Sequence, residues 1–253
     1  MTSKEFWSDS YEDDEFRYSE HRVEFRELFE KYLPRGGSCF EVGCYPGKFL
    51  IYLGKRFNYT VNGIDWMPRT KELLQRRLEG YNIKVGTLVQ NDFLEYHTDE
   101  RYDVVCSFGF IEHFLDIERV IARHVELLKP GGFLIISSPN LKKAQYLLHR
   151  WLDEGGLSGH NLEAMDFGVW TRALNKNGMR ILHQNYYGTF GFWAKKSRDK
   201  SSRGILRNFV VYAMDYSSLA VNRLIRRPSS AFSPHMISIS KKMGGSVSQQ
   251  KHL

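Results

Sequence analysis

Short apolar segments alternate with amphipathic ones between residues 38 and 140, and this order constrains the fold more than any other feature. Apolar runs of about four to eight residues are typical of buried strands, and apolar residues at helical spacing indicate helices between them. Strands that alternate with helices pair in parallel, because each helix returns the chain to the same end of the sheet. The sequence therefore predicts an α/β fold, with a mostly parallel sheet and helices on both faces.

The predicted elements follow from these periods and from the residues that end them. Within this region we expect strands over 39–43, 59–64, 83–90, 102–108 and 133–137, and helices over 47–57, 69–78 and 116–128. Asp116 is placed to cap the last of these helices, and Pro130 with two glycines is placed to end it. Outside the region we expect helices over 19–33, 141–152, 163–175 and about 204–226, and strands over 179–187 and 235–240.

Composition narrows the class of protein. The chain has 253 residues, of which 42% are hydrophobic, which is enough for the core of one domain. No apolar run is long enough to span a membrane, and the acidic start lacks the order of a secretory signal, so we expect a cytoplasmic protein. Cys39, Cys44 and Cys106 fall in or beside predicted buried strands and are expected to be reduced. No compact grouping of His, Cys, Asp and Glu is visible, so no metal is predicted.

A glycine turn joins the first predicted strand to the next helix, in the sequence CFEVGCYPG over residues 39–47. Gly43 and Gly47 allow the backbone to turn sharply, and N–H groups at the start of the helix can face a ligand. A dinucleotide fingerprint requires G-x-G-x-x-G, but Tyr45 and Lys48 stand where its later glycines belong. The spacing present resembles the first motif of class I S-adenosylmethionine (SAM)-dependent methyltransferases, with Tyr45 in place of a common middle glycine.

Four further segments resemble later motifs of that family, in the same order along the chain. Asp65 follows the second strand, where a carboxylate can accept hydrogen bonds from ribose hydroxyls, and Asp92 follows the third strand. The sequence YDVVCSFGFIEH contains the fourth strand, and LLKPGGFLIISSPN contains the fifth. These segments are similar to those of the branch that includes ubiquinone-biosynthesis-like and polysaccharide-type methyltransferases, over about residues 38–140.

The resemblance implies a Rossmann-like seven-stranded sheet with strand order 3-2-1-4-5-7-6 and an antiparallel last strand. It implies SAM as the cofactor, with Asp65 at the ribose and Asp92 at the adenine amino group, and we place Trp66 beside adenine. The residues expected to contact the cofactor are Glu41, Gly43, Cys44, Tyr45, Gly47, Asp65, Trp66, Asn91, Asp92, Phe93, Ser107 and Phe108. We expect one domain over 1–253, with a leader and helix over 1–33, a SAM-binding core over 38–140, and an acceptor-side region over 141–241 with a helical insertion over about 203–227.

Two histidines are candidate catalytic bases. Methyl transfer from a sulfonium is an in-line displacement, so holding the acceptor about 3 Å from the methyl group is most of the work. An alcohol or amine acceptor must also lose a proton, and a nearby base would help. His113 follows the fourth strand, at the sheet edge where ligands bind, and His160 begins a segment that resembles the acceptor-facing one of the family. Either histidine can instead orient a loop.

The acceptor is the part of the function that the sequence constrains least. We predict transfer to a small-molecule or saccharide acceptor at oxygen, from the resemblance and the two histidines. A net charge of +7 leaves an RNA or protein methyltransferase as an alternative. Basic residues are concentrated over 195–203, 223–227 and 241–242, however, and no separate RNA-binding module is visible, so nucleic acid is not expected. A non-catalytic SAM-binding protein is a further alternative, and a nicotinamide dehydrogenase is the weakest.

The helix predicted over 204–226 carries a wide apolar stripe and is bordered by basic residues. Packing against its own domain, a cover over the acceptor site, a homodimer interface and peripheral contact with a membrane all agree with this pattern. The sequence does not decide among the four.

Overall fold

The computed structural model describes residues 16–68, 70–152, 157, 159–191, 201, 204–213 and 227–244. One sheet contains seven strands, β1 (Ser38–Val42), β2 (Thr60–Asp65), β3 (Val85–Gln90), β4 (Tyr102–Phe108), β5 (Leu128–Pro139), β6 (Met179–Tyr187) and β7 (His235–Lys242). The helices are α1 (Arg26–Tyr32), α2 (Lys48–Phe57), α3 (Thr70–Gly80), α4 (Ile117–Glu126), α5 (Ala144–Leu152), α6 (Phe167–Lys176) and α7 (204–213). Short 3-10 turns lie at Glu20–Arg22, Ile111–His113 and Leu162–Ala164.

The strand order is β3-β2-β1-β4-β5-β7-β6, so the order implied by the resemblance is confirmed. Neighbours from β3 to β5 pair in parallel, whereas β7 pairs antiparallel with both β5 and β6. Parallel neighbours need crossover connections, and α2, α3 and α4 supply them after β1, β2 and β4.

Both faces of the sheet are buried. In β4, Val104 and Cys106 belong to the same core layer as Phe29 and Leu50, while Val105 belongs to the layer on the opposite face. Successive side chains of a strand point to opposite faces, and here both faces are apolar. The strand therefore appears in the sequence as a continuous apolar run rather than as an alternating pattern.

The carboxyl ends of β1, β2 and β4 meet at one edge of the sheet. Val42 pairs with Ile64 on one side and with Ser107 on the other, so these three strands end at matching heights. The segments that follow the strands all leave the sheet at this edge. Because open α/β sheets bind ligands at this edge, the fold brings the predicted motif segments together.

The N-terminal helix differs from the prediction. Instead of one helix over 19–33, the turn Glu20–Arg22 and α1 are separated by Phe25, which adopts a left-handed φ of 63°. The Phe25 ring is buried, with its centroid 6.1 Å from that of Phe108 and 4.6 Å from that of Tyr187. Burial of the large Phe25 ring offsets the strain of its left-handed backbone. The spacing of apolar residues along the sequence does not predict this contact.

The helix predicted over 116–128 and the strand that follows it also differ from the prediction in their bounds. The helix predicted over 116–128 ends at Glu126 and β5 begins at Leu128, earlier than expected, while Asp116 caps the helix as predicted by accepting from the Arg119 N–H at 2.9 Å. Of the helix predicted over 204–226, residues 204–213 are helical and the remainder lies outside the described residues. Within the described part of the chain, no helix combines the length and the apolar character needed to cross a membrane.

Candidate active site

The turn after β1 is tied to the end of β2 through its own backbone. The N–H groups of Gly43 and Cys44 donate to the Ile64 carbonyl, at 2.9 and 3.2 Å. Gly43 and Gly47 have φ values of 74° and 96°, in the left-handed region that favours glycine. The turn therefore requires glycine at both ends, as its sequence indicated.

Asp65 lies directly beside this turn. Its Oδ2 accepts from the N–H of Tyr45 at 3.0 Å, and its Oδ1 accepts from the N–H of Met67 at 3.0 Å. A carboxylate offers about four acceptor positions, so positions remain for the hydroxyls of a ligand. Burial raises the pKa of Asp65, and the backbone donors oppose that rise. The structure thus brings together the turn and the acid on which the cofactor prediction depends.

Arg77 of α3 holds the outer part of the turn, and the sequence analysis did not identify it. Its Nη1 donates to the Pro46 carbonyl at 2.6 Å. Its guanidinium lies 5.5 Å from the ring centroid of Tyr45 and 4.5 Å from that of Phe16, within the range of cation–π contacts. The Tyr45 side chain, which replaces a common glycine, is therefore a fixed part of the turn.

Glu41, the acid that precedes the turn, is buried inside the protein. Burial raises its pKa well above the usual value, while Lys48 opposes the rise and Asp65 adds to it. Among the described residues, Glu41 Oε2 has no hydrogen-bond partner. An unpartnered buried carboxylate oxygen is costly, and a cationic ligand group nearby would offset that cost. Because SAM carries a sulfonium and an ammonium, the residues present fit this cofactor.

The loop after β3 lies next to Asp65. The Asn91 N–H donates to the Asp65 carbonyl at 3.1 Å, so the loop starts beside the acid. The Asp92 side chain is exposed and can meet a ligand. The Phe93 ring is buried, with its centroid 4.7 Å from that of His124. The Phe93 backbone, rather than its ring, is therefore the part of this residue that can face adenine.

The other residues predicted to contact the cofactor differ in how far their side chains are exposed to solvent. Trp66 is half-buried, whereas the side chains of Cys44 and Ser107 are fully buried. The Phe108 ring stacks on Phe49 with 3.6 Å between centroids and packs against the core. Cys44, Ser107 and Phe108 therefore offer backbone groups more than side chains, and their roles stay predictions.

His113 and His160 lie together although they are far apart in the sequence. Their ring centroids are 4.8 Å apart, with an angle of 44° between the planes. His113 Nδ1 lies 3.0 Å from the Gly159 carbonyl oxygen, which can only accept, so this nitrogen carries the proton. The Asn161 N–H donates to the Glu112 carbonyl at 2.7 Å. These two bonds hold the loop of His160 against the turn of His113.

Glu112 completes this cluster, and the sequence analysis did not assign it a functional role. Its Oε1 lies 3.9 Å from His113 Nε2, and its Oε2 has no hydrogen-bond partner among the described residues. Burial raises the pKa of Glu112 to about 8. Burial, together with His160, lowers the pKa of His113 to about 4. Both groups are therefore mostly neutral near pH 7, and the contact between them is not an ion pair.

The same cluster has the geometry of a metal-ligand group. Glu112, His113 and His160 each offer a ligand atom, and these atoms lie within 4.8 Å of one another, close enough to hold an ion. The sequence analysis found no such grouping because His160 is distant along the chain.

The strand order, the glycine turn beside an acid and the adjoining loops define a class I SAM-dependent methyltransferase. Residues 14–184 match the family model described as a methyltransferase domain, and the chain belongs to this family. The cofactor of the class is SAM.

Named relatives include methyltransferases with different acceptor atoms. Ubiquinone biosynthesis O-methyltransferase of Rickettsia akari (strain Hartford) is 32% identical over 108 residues, which are 43% of this chain and 42% of that protein. Phosphoethanolamine N-methyltransferase 1 of Arabidopsis thaliana is 27% identical over 144 residues, which are 55% of this chain and 29% of that protein. The chain thus spans less than half the length of these curated relatives.

A solved structure agrees with the fold. A SAM-dependent methyltransferase from Archaeoglobus fulgidus superimposes with a TM-score of 0.54 and 19% identity, over 85% of this chain and 92% of that chain. At this identity the similarity concerns the fold alone.

Proposed function

We propose that the protein transfers the methyl group of SAM to an oxygen atom of a small-molecule or saccharide acceptor. The observation that carries the proposal is the contact between His160 and His113, which follows β4 at the edge where the cofactor segments meet. A hydroxyl acceptor must lose its proton, and a base beside it serves this step. The relatives named as O-methyltransferases support oxygen as the acceptor atom.

The cofactor-binding residues act by positioning. When bound, SAM supplies an electrophilic methyl group on a positively charged sulfur. Asp65 would accept hydrogen bonds from the ribose hydroxyls, and the buried Glu41 would favour the positive charge of the ligand. The loop over 91–93 would hold the adenine. Together these residues would fix the direction of the methyl group, which is the main requirement of an in-line displacement.

His160 takes the proton of the acceptor. His113 is less suited, because its side chain is only 10% exposed and a pKa of about 4 makes it a weak base near pH 7. His113 instead packs against the His160 ring and binds the Gly159 carbonyl. SAM would supply the methyl group to the acceptor oxygen and leave as S-adenosylhomocysteine, and His160 would take up the proton that the acceptor hydroxyl loses.

Aromatic rings next to the histidines support a small ring-shaped acceptor. The Phe110 ring lies against the glycine turn, because a Cβ added at Gly43 would be 3.0 Å from it, and its centroid is 4.9 Å from that of Phe114, the residue after His113. Aromatic side chains commonly line small-molecule sites, where their faces contact rings. We therefore propose a small-molecule or saccharide acceptor and no nucleic acid. A cytoplasmic location and a homodimer stay predictions.

The test is turnover with labelled SAM and fractionated cell extract, followed by kinetics of variants on the fraction that takes the label. We expect label in a small-molecule fraction, as an O-methyl product. We expect His160→Ala to lower kcat about 10²- to 10⁴-fold, because it removes the base, and to change the affinity for SAM by less than about twofold. His97→Ala, at an exposed histidine outside the cluster, is the matched control and should keep full activity.

Several results would overturn parts of this proposal. Label in RNA or protein would exclude the small-molecule acceptor, and a methylated amine would exclude oxygen. SAM binding without turnover on any fraction would indicate a non-catalytic protein. Incubation with a chelator should leave the rate unchanged; a loss that a divalent cation restores would assign Glu112, His113 and His160 to a metal instead of to proton transfer.

A further inference from the structure

Two helices expose rows of large apolar side chains. On α5, Leu147 and Trp151 lie one turn apart, and Trp151 is 76% exposed. On α7, the exposed large side chains share one helical face, and they are Ile205, Leu206, Phe209 and Tyr212. Single exposed apolar residues are ordinary, but contiguous rows mark interaction surfaces. We call these six side chains the α5–α7 surface.

Hydrogen bonds fix both helices to the protein and to each other. The Arg207 Nε donates to the Leu152 carbonyl, which joins α7 to the end of α5. Gln145, on the buried side of α5, donates from Nε2 to the carbonyls of Gly191 and Phe232 at 2.8 and 3.0 Å. One side of each helix therefore contacts the rest of the protein, and the apolar rows lie on the solvent-exposed sides. Within the described residues, these rows are exposed and do not pack against their own domain, which was one of the four interpretations of the helix predicted over 204–226.

The two described segments that carry the α5–α7 surface contain basic residues and no acidic ones. Residues 141–152 contain Lys142, Lys143 and Arg150, and residues 204–213 contain Arg207, with no Asp or Glu in either segment. An apolar row bordered by basic residues complements a surface that is apolar inside and anionic outside.

The α5–α7 surface is connected to the active-site edge of the sheet. β5 ends at Pro139, where it pairs with His235, the first residue of β7, and α5 begins at Ala144. The carboxyl end of β5 lies at the same edge as the ends of β1 and β4, because these strands are parallel. The start of α5 is thus close to the edge where the cofactor segments meet.

We propose that the α5–α7 surface docks on a lipid bilayer that carries anionic headgroups. Trp151 and Tyr212 are residues of the type that favours the interface between headgroups and acyl chains, and Phe209 with the aliphatic side chains enters the apolar boundary. The basic residues contact the headgroups, where each contributes an attraction that salt weakens. Docking does not depend on methyl transfer and can be measured without turnover.

The test is flotation of the full chain with vesicles of phosphatidylcholine alone and of phosphatidylcholine with about 30% phosphatidylglycerol. We expect binding to the anionic vesicles, at least about tenfold weaker binding to the neutral ones, and a decrease at high salt. The double variant Trp151→Gln with Phe209→Gln should lower the partition coefficient about tenfold or more. Met243→Gln is the matched control. Met243 is 60% exposed and comes directly after the last residue of β7, at the end of that strand away from α5.

Three results would overturn the proposal. The first is equal flotation with neutral and anionic vesicles, or none with either, when the unfolding temperature shows a folded protein. The second is equal binding by the double variant and by Met243→Gln. The third combines two observations: the protein does not bind vesicles, and it is a dimer in size-exclusion chromatography whereas the double variant is a monomer. That result would assign the surface to a second copy of the chain. SAM binding by each variant is measured in parallel, so that a folding defect is recognised.

Discussion

Asp65 combines two tasks in one carboxylate. It accepts the N–H groups of Tyr45 and Met67, which fixes the turn after β1, and its remaining acceptor positions suit vicinal hydroxyls. The energetic value of this side chain is therefore larger than that of a ligand contact alone, because its loss also releases the turn.

We expect Asp65→Ala to weaken binding of S-adenosylhomocysteine about 100-fold, measured by calorimetry, because hydrogen bonds to a charged acceptor contribute about 1.5 to 3 kcal/mol each. His160→Ala should change this affinity by less than about twofold, because His160 serves the acceptor. The reverse ranking would show that the ribose does not bind at Asp65.

Burial is the main cause of the pKa shifts of both Glu112 and His113, which are in opposite directions. Burial disfavours the charged form of each, which raises the pKa of the acid to about 8 and lowers the pKa of the histidine to about 4. For Glu112, the folded protein holds the proton more tightly than the unfolded chain. Its contribution to stability is therefore complete below about pH 4.5 and is lost as the pH rises toward 8.

Glu112→Gln removes this dependence. We expect the free energy of unfolding of the variant to exceed that of the natural protein at pH 8 by up to about 4 kcal/mol, and to equal it near pH 5. Urea unfolding at the two pH values measures the difference. Glu118→Gln, at an exposed side chain, should show no such change with pH. A constant difference between Glu112→Gln and the natural protein would mean that Glu112 is not protonated in the folded state.

At the scale of elements, α3 shapes the cofactor turn from outside. Arg77 reaches from this helix to the Pro46 carbonyl and to the rings of Tyr45 and Phe16. The turn carries a tyrosine where related motifs often have glycine, and α3 supplies the contacts that hold it. The relation between a helix and a turn is thus part of the cofactor site.

We expect Arg77→Met to weaken binding of S-adenosylhomocysteine about tenfold, because a charged hydrogen bond to the turn is lost. Arg76→Met is the control, since Arg76 is exposed and pairs with Glu72 on the same helix. Equal affinities for the two variants would show that the turn keeps its shape without α3.

At the scale of the whole molecule, cofactor binding is linked to folding. The turn, Asp65 and the loop after β3 come together only when the sheet is formed, so a ligand that bridges them stabilises the folded chain.

We expect SAM at about 100 times its dissociation constant to stabilise the protein by about 2.7 kcal/mol and to raise its melting temperature by about 5 to 10 °C. NAD at the same concentration should produce no shift, because Tyr45 and Lys48 replace the glycines of a dinucleotide fingerprint. A shift with NAD alone would contradict the assignment of the site.

Much of the fold was predictable because its signals are local. Apolar periods and glycine or proline breaks indicated β1 to β5 and the helices between them, and the spacing of motifs indicated strand order through resemblance. The segments that approach the cofactor site were predictable for the same reason, since each follows the end of a strand. The continuous helix predicted over 19–33 was wrong because burial of Phe25 decided the backbone there.

By itself, the sequence determined which elements form and which residues follow each strand, because propensity, period and turn chemistry act between residues close along the chain. Only the tertiary structure decided that His160 lies against His113 above a buried Glu112, and that Arg77 holds Tyr45. These contacts join segments that are distant in sequence, and the protonation of their groups depends on burial. Packing in three dimensions determines both, and no local pattern encodes it.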